Sequence, residues 1–87
     1  MNIGDIVIST AGRDAGKYFV VVGIAEGQYR LVCDGKLRKI SKPKKKKIKH
    51  LKFFCSGGDL QTILTVNRPV SDKFIRSVLA NVKNGEE

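Results

Sequence analysis

The side chains that could do chemistry in this chain are basic and crowded together. Lys36, Arg38, Lys39, Lys42, Lys44, Lys45, Lys46, Lys47, Lys49 and Lys52 are ten of the 17 basic residues, and no acidic residue lies among them. Outside that window seven basic residues meet eight acidic ones, so the formal charge of +9 belongs to one segment, 36–52. Clustered ammonium groups repel one another and cost folding stability unless an anion sits opposite. A polyanionic backbone supplies that anion and releases its condensed counterions on binding. The blander reading, a solvated run that keeps the domain soluble, is served as well by mixed signs. Pro43 to Lys49 also has the composition of a nuclear import signal, which would need a eukaryotic host. A polybasic membrane patch would want a lipid anchor beside it, and the sequence shows none.

Other reactive types are sparse. Cys33 and Cys55 form no CxxC and have a single histidine, His50, near them in sequence. A metal site needs about four ligands at characteristic spacing, so the expectation is two reduced, apolar-packing cysteines and no metal. His50 stands in a lysine-rich neighbourhood with no local carboxylate or nucleophile. It is expected to stay neutral, at the core edge or against RNA. With no nucleophile elbow, paired carboxylates or nucleotide-binding P-loop, neither an enzyme nor a cofactor is expected.

These residues must be positioned by a small scaffold. Eighty-seven residues with 41% hydrophobic content make one globular domain with a modest core. Without a leader-like or membrane-spanning segment, the chain reads as cytoplasmic and monomeric. Ile6 and Ile8 alternating with Val7 and Ser9 predict a first strand over residues 3–10. Residues 11–17 form a loop bent by Gly12 and Gly16, from which Arg13 and Lys17 project toward phosphates. The β-branched run at 18–24 predicts a second strand, 25–28 a turn, and Tyr29 to Cys33 a third strand. Asp34-Gly35 signals a two-residue hairpin leading into a fourth strand, Lys36 to Ile40. Pro43 then breaks the ladder, and Lys44 to Lys47 follow as an extended, exposed connection. Ile48, His50 and Leu51 or Phe53 resume a strand that returns to the first. Five short strands suit a small barrel or half-barrel.

Beyond Phe54, Asp59 caps a short helix reaching about residue 66, with a strand as the alternative, and Asn67-Arg68-Pro69 is a turn. Ser71 caps a firmer helix over 71–84, whose stripe of Phe74, Ile75, Val78, Leu79 and Val82 is expected to pack on the sheet. The fold class is mainly β with a C-terminal helix. Residues 1–54 form the barrel with its basic segment, and 55–87 an extension packed on it in a single domain.

Gly4, Val7, Gly12, Gly16, Lys17 and the Val20-Val21-Val22 run resemble the KOW motif. That resemblance implies a small SH3-like β-barrel of the kind found in ribosomal proteins and transcription-elongation factors. The continuation, Asp34 to Ile40 and then Pro43 to Leu51, is similar to small KOW-domain RNA-binding proteins of Gram-positive bacteria. These in turn are similar to a large-subunit ribosomal protein of archaea and eukaryotes. The likeness covers residues 3–53 and implies binding to structured RNA, ribosomal RNA or the large subunit first of all. In that reading Lys42, Lys44, Lys45, Lys46, Lys47, Lys49 and Lys52 neutralise phosphates. Arg13, Lys17, Arg38 and Lys39 fix orientation, with Lys36 and His50 beside them. The alternative is a protein-interaction barrel in a transcription or translation assembly, with the lysines against an acidic protein surface.

Overall fold

The computed structural model describes residues 1–66 and 68–85. Its strands are β1 (Asp5–Ser9), β2 (Tyr18–Ala25), β3 (Tyr29–Cys33), β4 (Lys44–Lys47) and β5 (Leu51–Ser56). Two helices follow, α1 (Asp59–Thr65) and α2 (Asp72–Asn84). All strand pairs are antiparallel, in the order β4-β3-β2-β1-β5. The sheet is not closed: β4 and β5 are its two edges. Among the described residues no helix is long and apolar enough to cross a membrane.

Both faces of this sheet are covered. On one, Ile6, Val20 and Cys33 pack with Leu60 of α1 and with Ile75 and Leu79 of α2. On the other, Val7, Phe19, Val21, Val32 and Leu51 form a second cluster, with Met1 packed against it. Each fully buried side chain of this kind contributes about 1.5–3 kcal/mol. The second cluster survives without helices because the sheet curls over it. An extra residue in β2 shifts its register with β3, and another in β5 shifts its register with β1. Bulges of this type bend a strand and increase its twist.

The expected helix over 71–84 is present as α2, with the Ser71 hydroxyl accepting the Phe74 N–H at 3.1 Å. Its stripe buries Ile75 and Leu79 and leaves Phe74 exposed. Residues 59–65 are helical, but Gly58 is the N-cap and Asp59 lies inside the first turn. The turn expected at Asn67-Arg68-Pro69 includes Asn67, which lies outside the described residues, as do Glu86 and Glu87.

Four expectations about the middle of the chain are corrected. Residues 36–40 are not a strand, and Asp34-Gly35 is not a two-residue hairpin. Instead the Asp34 carboxylate accepts the N–H groups of Lys36 and Arg38, both at 2.9 Å, which rolls the segment into a loop. That loop is pinned to α2: the Ile40 N–H donates to Asp72 at 2.8 Å and Arg76 donates to the Gly35 carbonyl at 2.6 Å. The partner of β3 is the lysine run itself. Lys44–Lys47 is β4, paired from Tyr29↔Lys47 to Val32↔Lys44, and not an exposed connection. The strand expected to resume at Ile48 begins at Leu51, after a turn of 3-10 helix at Ile48–His50.

Candidate nucleic-acid interface

Four consecutive lysines form a strand because its two faces meet different partners. Lys45 and Lys47 share a face with Tyr29, their ammonium groups 4.6 and 5.9 Å from the ring centroid. Lys45 also lies 3.7 Å from the Glu26 carboxylate. Lys44 and Lys46 turn to the opposite face. There Lys46 is only 7% exposed. Its ammonium donates to the Ser9 hydroxyl, to the Ala11 carbonyl at 3.0 Å and to Asp14 at 2.5 Å. Lys44 reaches the other oxygen of the same carboxylate at 3.2 Å.

This contact measures the curl. A flat sheet would hold β4 three strand spacings of about 4.8 Å from β1, farther than a lysine can reach. Lys46 nevertheless touches Ser9, so the β4 edge folds back toward the end of β1 and the glycine loop. Burial alone would raise the Asp14 carboxyl. Hydrogen bonds from Lys46, Ser9 and Lys44, with the charge of Lys46, hold it instead far below the usual carboxylate range.

The glycine loop presents the other half of the site. Gly12 and Gly16 take positive φ, +81° and +86°, and the loop closes through the Gly16 N–H to the Ser9 carbonyl at 2.7 Å. Arg13 and Lys17 stand exposed on it. With Arg38 and Lys44 they line a cleft of about 420 Å³. A second cleft of about 850 Å³ adjoins it, sharing Lys17, Asp34 and Leu37 and adding Lys36, Arg76 and Lys83. The aspartates of this trough are committed internally, Asp14 to the two lysines and Asp34 to backbone N–H groups. Seven basic side chains, Arg13, Lys17, Lys36, Arg38, Lys44, Arg76 and Lys83, outnumber these two carboxylates, so the net charge of the trough is positive.

The expected contact residues thus divide. Arg13, Lys17, Lys36, Arg38 and Lys44 converge on the trough. Lys39, Lys42, Lys49 and Lys52 are exposed but line neither cleft, and Lys45 and Lys47 flank Tyr29 on β4. His50 is half-buried, its carbonyl accepting the Thr10 N–H at 2.9 Å. Lys46 leaves the set of free cations, because Asp14, Ser9 and the Ala11 carbonyl hold its ammonium inside. Four participants escaped the sequence reading. Asp14 is the one acid in the glycine loop and Ser9 ends β1, and neither signals a partner some thirty residues away. Arg76 and Lys83 lie seven apart along one flank of the apolar stripe of α2, a spacing that places them on one helix face.

Comparison with protein-family models and with curated proteins gives no match for this chain.

Proposed function

We propose that this protein is an RNA-binding module of the KOW type, its curled five-stranded sheet a variant of the small SH3-like barrel. The observation that carries the reading is the trough: cations from two loops distant in sequence converge there, and the carboxylates among them are tied down. Phosphate is the anion such a surface fits, since repelling ammonium groups are relieved by a polyanion and release its counterions. The glycine loop between β1 and β2, together with the return of β5 onto β1, supports the KOW reading. Contacts made by lysine and arginine to a backbone give affinity and register, so the target is recognised by shape as structured RNA. Ribosomal RNA of the large subunit is the first candidate.

The test is sedimentation of a native lysate through a sucrose gradient, with and without ribonuclease. Co-migration with large ribosomal particles, lost on nuclease treatment and at high salt, is the expected result. Migration at the top of the gradient in every condition, or a complex that survives nuclease, would overturn the ribosomal reading. A nuclease-resistant complex would point to an acidic protein partner.

A further inference from the structure

Resting on that reading, we infer that α2 forms one wall of the RNA site and that the trough takes an unpaired strand rather than a duplex. The loop after β3 is held against α2 by the Arg76–Gly35 and Ile40–Asp72 hydrogen bonds. Lys36 of that loop, Lys17 of the glycine loop and Lys83 of α2 thereby line one cleft. Lys83 is exposed and lies 5.7 Å from the centroid of the Tyr18 ring, so its position is set while its charge stays in water.

Between the cations the trough also carries apolar surface beside Asp34. Leu37 is 74% exposed and stands where the two clefts meet, and Ala80 of α2 lies exposed in the larger one. Phosphates have no use for such surface, whereas the face of an unstacked base does. In an A-form duplex the base faces are stacked inside, and the outer surface offers sugar, phosphate and base edges only. Cation walls with apolar surface between them therefore fit a splayed single strand, such as a loop or bulge of a folded RNA.

The experiment compares two variants of equal net charge, Lys83→Gln and Asn81→Glu. Asn81 is exposed and sits about 160° around the helix from Lys83 at 3.6 residues per turn. Both are measured by fluorescence anisotropy against an unstructured RNA of about 12 nucleotides and against the duplex of that RNA with its complement. The wild-type chain is expected to prefer the single strand. Lys83→Gln is expected to weaken it about three- to tenfold and to lower the salt slope by about 0.7, the value of one single-strand phosphate. Asn81→Glu should stay within twofold of wild type, and Lys83→Arg should restore binding. Equal loss in Lys83→Gln and Asn81→Glu, or a duplex bound as tightly as the strand, would overturn the inference and leave the RNA reading standing. Failure of the wild-type chain to bind either RNA would overturn the inference, and failure to bind a folded RNA with an unpaired loop as well would overturn the RNA reading itself.

Discussion

If the buried Lys46–Asp14 pair is what holds the β4 edge against β1, Asp14→Asn should destabilise the fold far more than loss of a surface ion pair. The substitution keeps shape and removes the charge, leaving the Lys46 ammonium with the Ser9 hydroxyl, the Ala11 carbonyl and a neutral amide oxygen in place of the carboxylate. Removing one partner of a buried pair costs about 3–5 kcal/mol. The low end applies because those acceptors remain, so about 3 kcal/mol is expected. For a domain of this size each kcal/mol shifts Tm by about 4–8 °C, which gives a fall of about 12–24 °C. Lys46→Met should cost somewhat less, about 2 kcal/mol, because Asp14 keeps Lys44 and Ser9. The double variant should cost less than the sum of the two, with a coupling of about 2 kcal/mol. Glu26→Gln is the internal control: its partner Lys45 is 3.7 Å away and exposed, worth less than about 0.5 kcal/mol. Thermal and urea melts followed by circular dichroism measure all four. A fall below about 3 °C in Asp14→Asn, matching the control, would refute the claim that this pair closes the curl.

Three further outcomes follow from the same contacts. Because the folded-state pKa of Asp14 is depressed, its contribution is full above the unfolded carboxyl value of about 3.9 and is lost as pH falls toward the folded value. Acid titration should show stability dropping by up to about 1.4 kcal/mol per pH unit below pH 4 from this group, a slope that vanishes in Asp14→Asn. Gly35→Ala should free the loop from α2: Gly35 has φ +75° and a Cβ there would collide with the Asp72 carbonyl oxygen, so stability should fall by about 2–4 kcal/mol. The Cys33 thiol is pushed up to about 12 by burial, with Asp72 and Asp34 adding to it. Thiol titration at pH 8 should therefore find Cys55 reacting slowly, since burial and Asp5 raise it too, and Cys33 only after unfolding.

The parts of the fold that were legible in sequence are those written in local chemistry. Alternation marked β1 and β3, β-branched content marked β2, and Ser71 with its apolar stripe marked α2. Gly12 and Gly16 announced the bends they make. The lysine segment was legible as charge and illegible as structure, because Lys44 to Lys47 carry no apolar period. What makes them a strand is remote: Asp14 and Ser9 for one face, Tyr29 for the other. Asp34-Gly35 misled for a related reason. A hairpin signal competes with whatever else the aspartate can bind, and here α2 holds the loop in which Asp34 collects two N–H groups. The candidate site shares that limit. Arg13, Lys17 and Arg38 stood out by type, but their convergence on one trough, and the removal of Lys46 from it, depend on the curl.

The central claim is most directly tested by binding of the purified chain to a folded RNA with an unpaired loop, across a salt series. About five phosphate contacts, from Arg13, Lys17, Lys36, Arg38 and one neighbouring lysine, predict log K falling against log salt with a slope of about −3.5. Arg38→Gln should lower the magnitude of that slope by about 0.7 for a single-strand phosphate. Absence of saturable binding at low salt, or a slope near zero, would contradict the account.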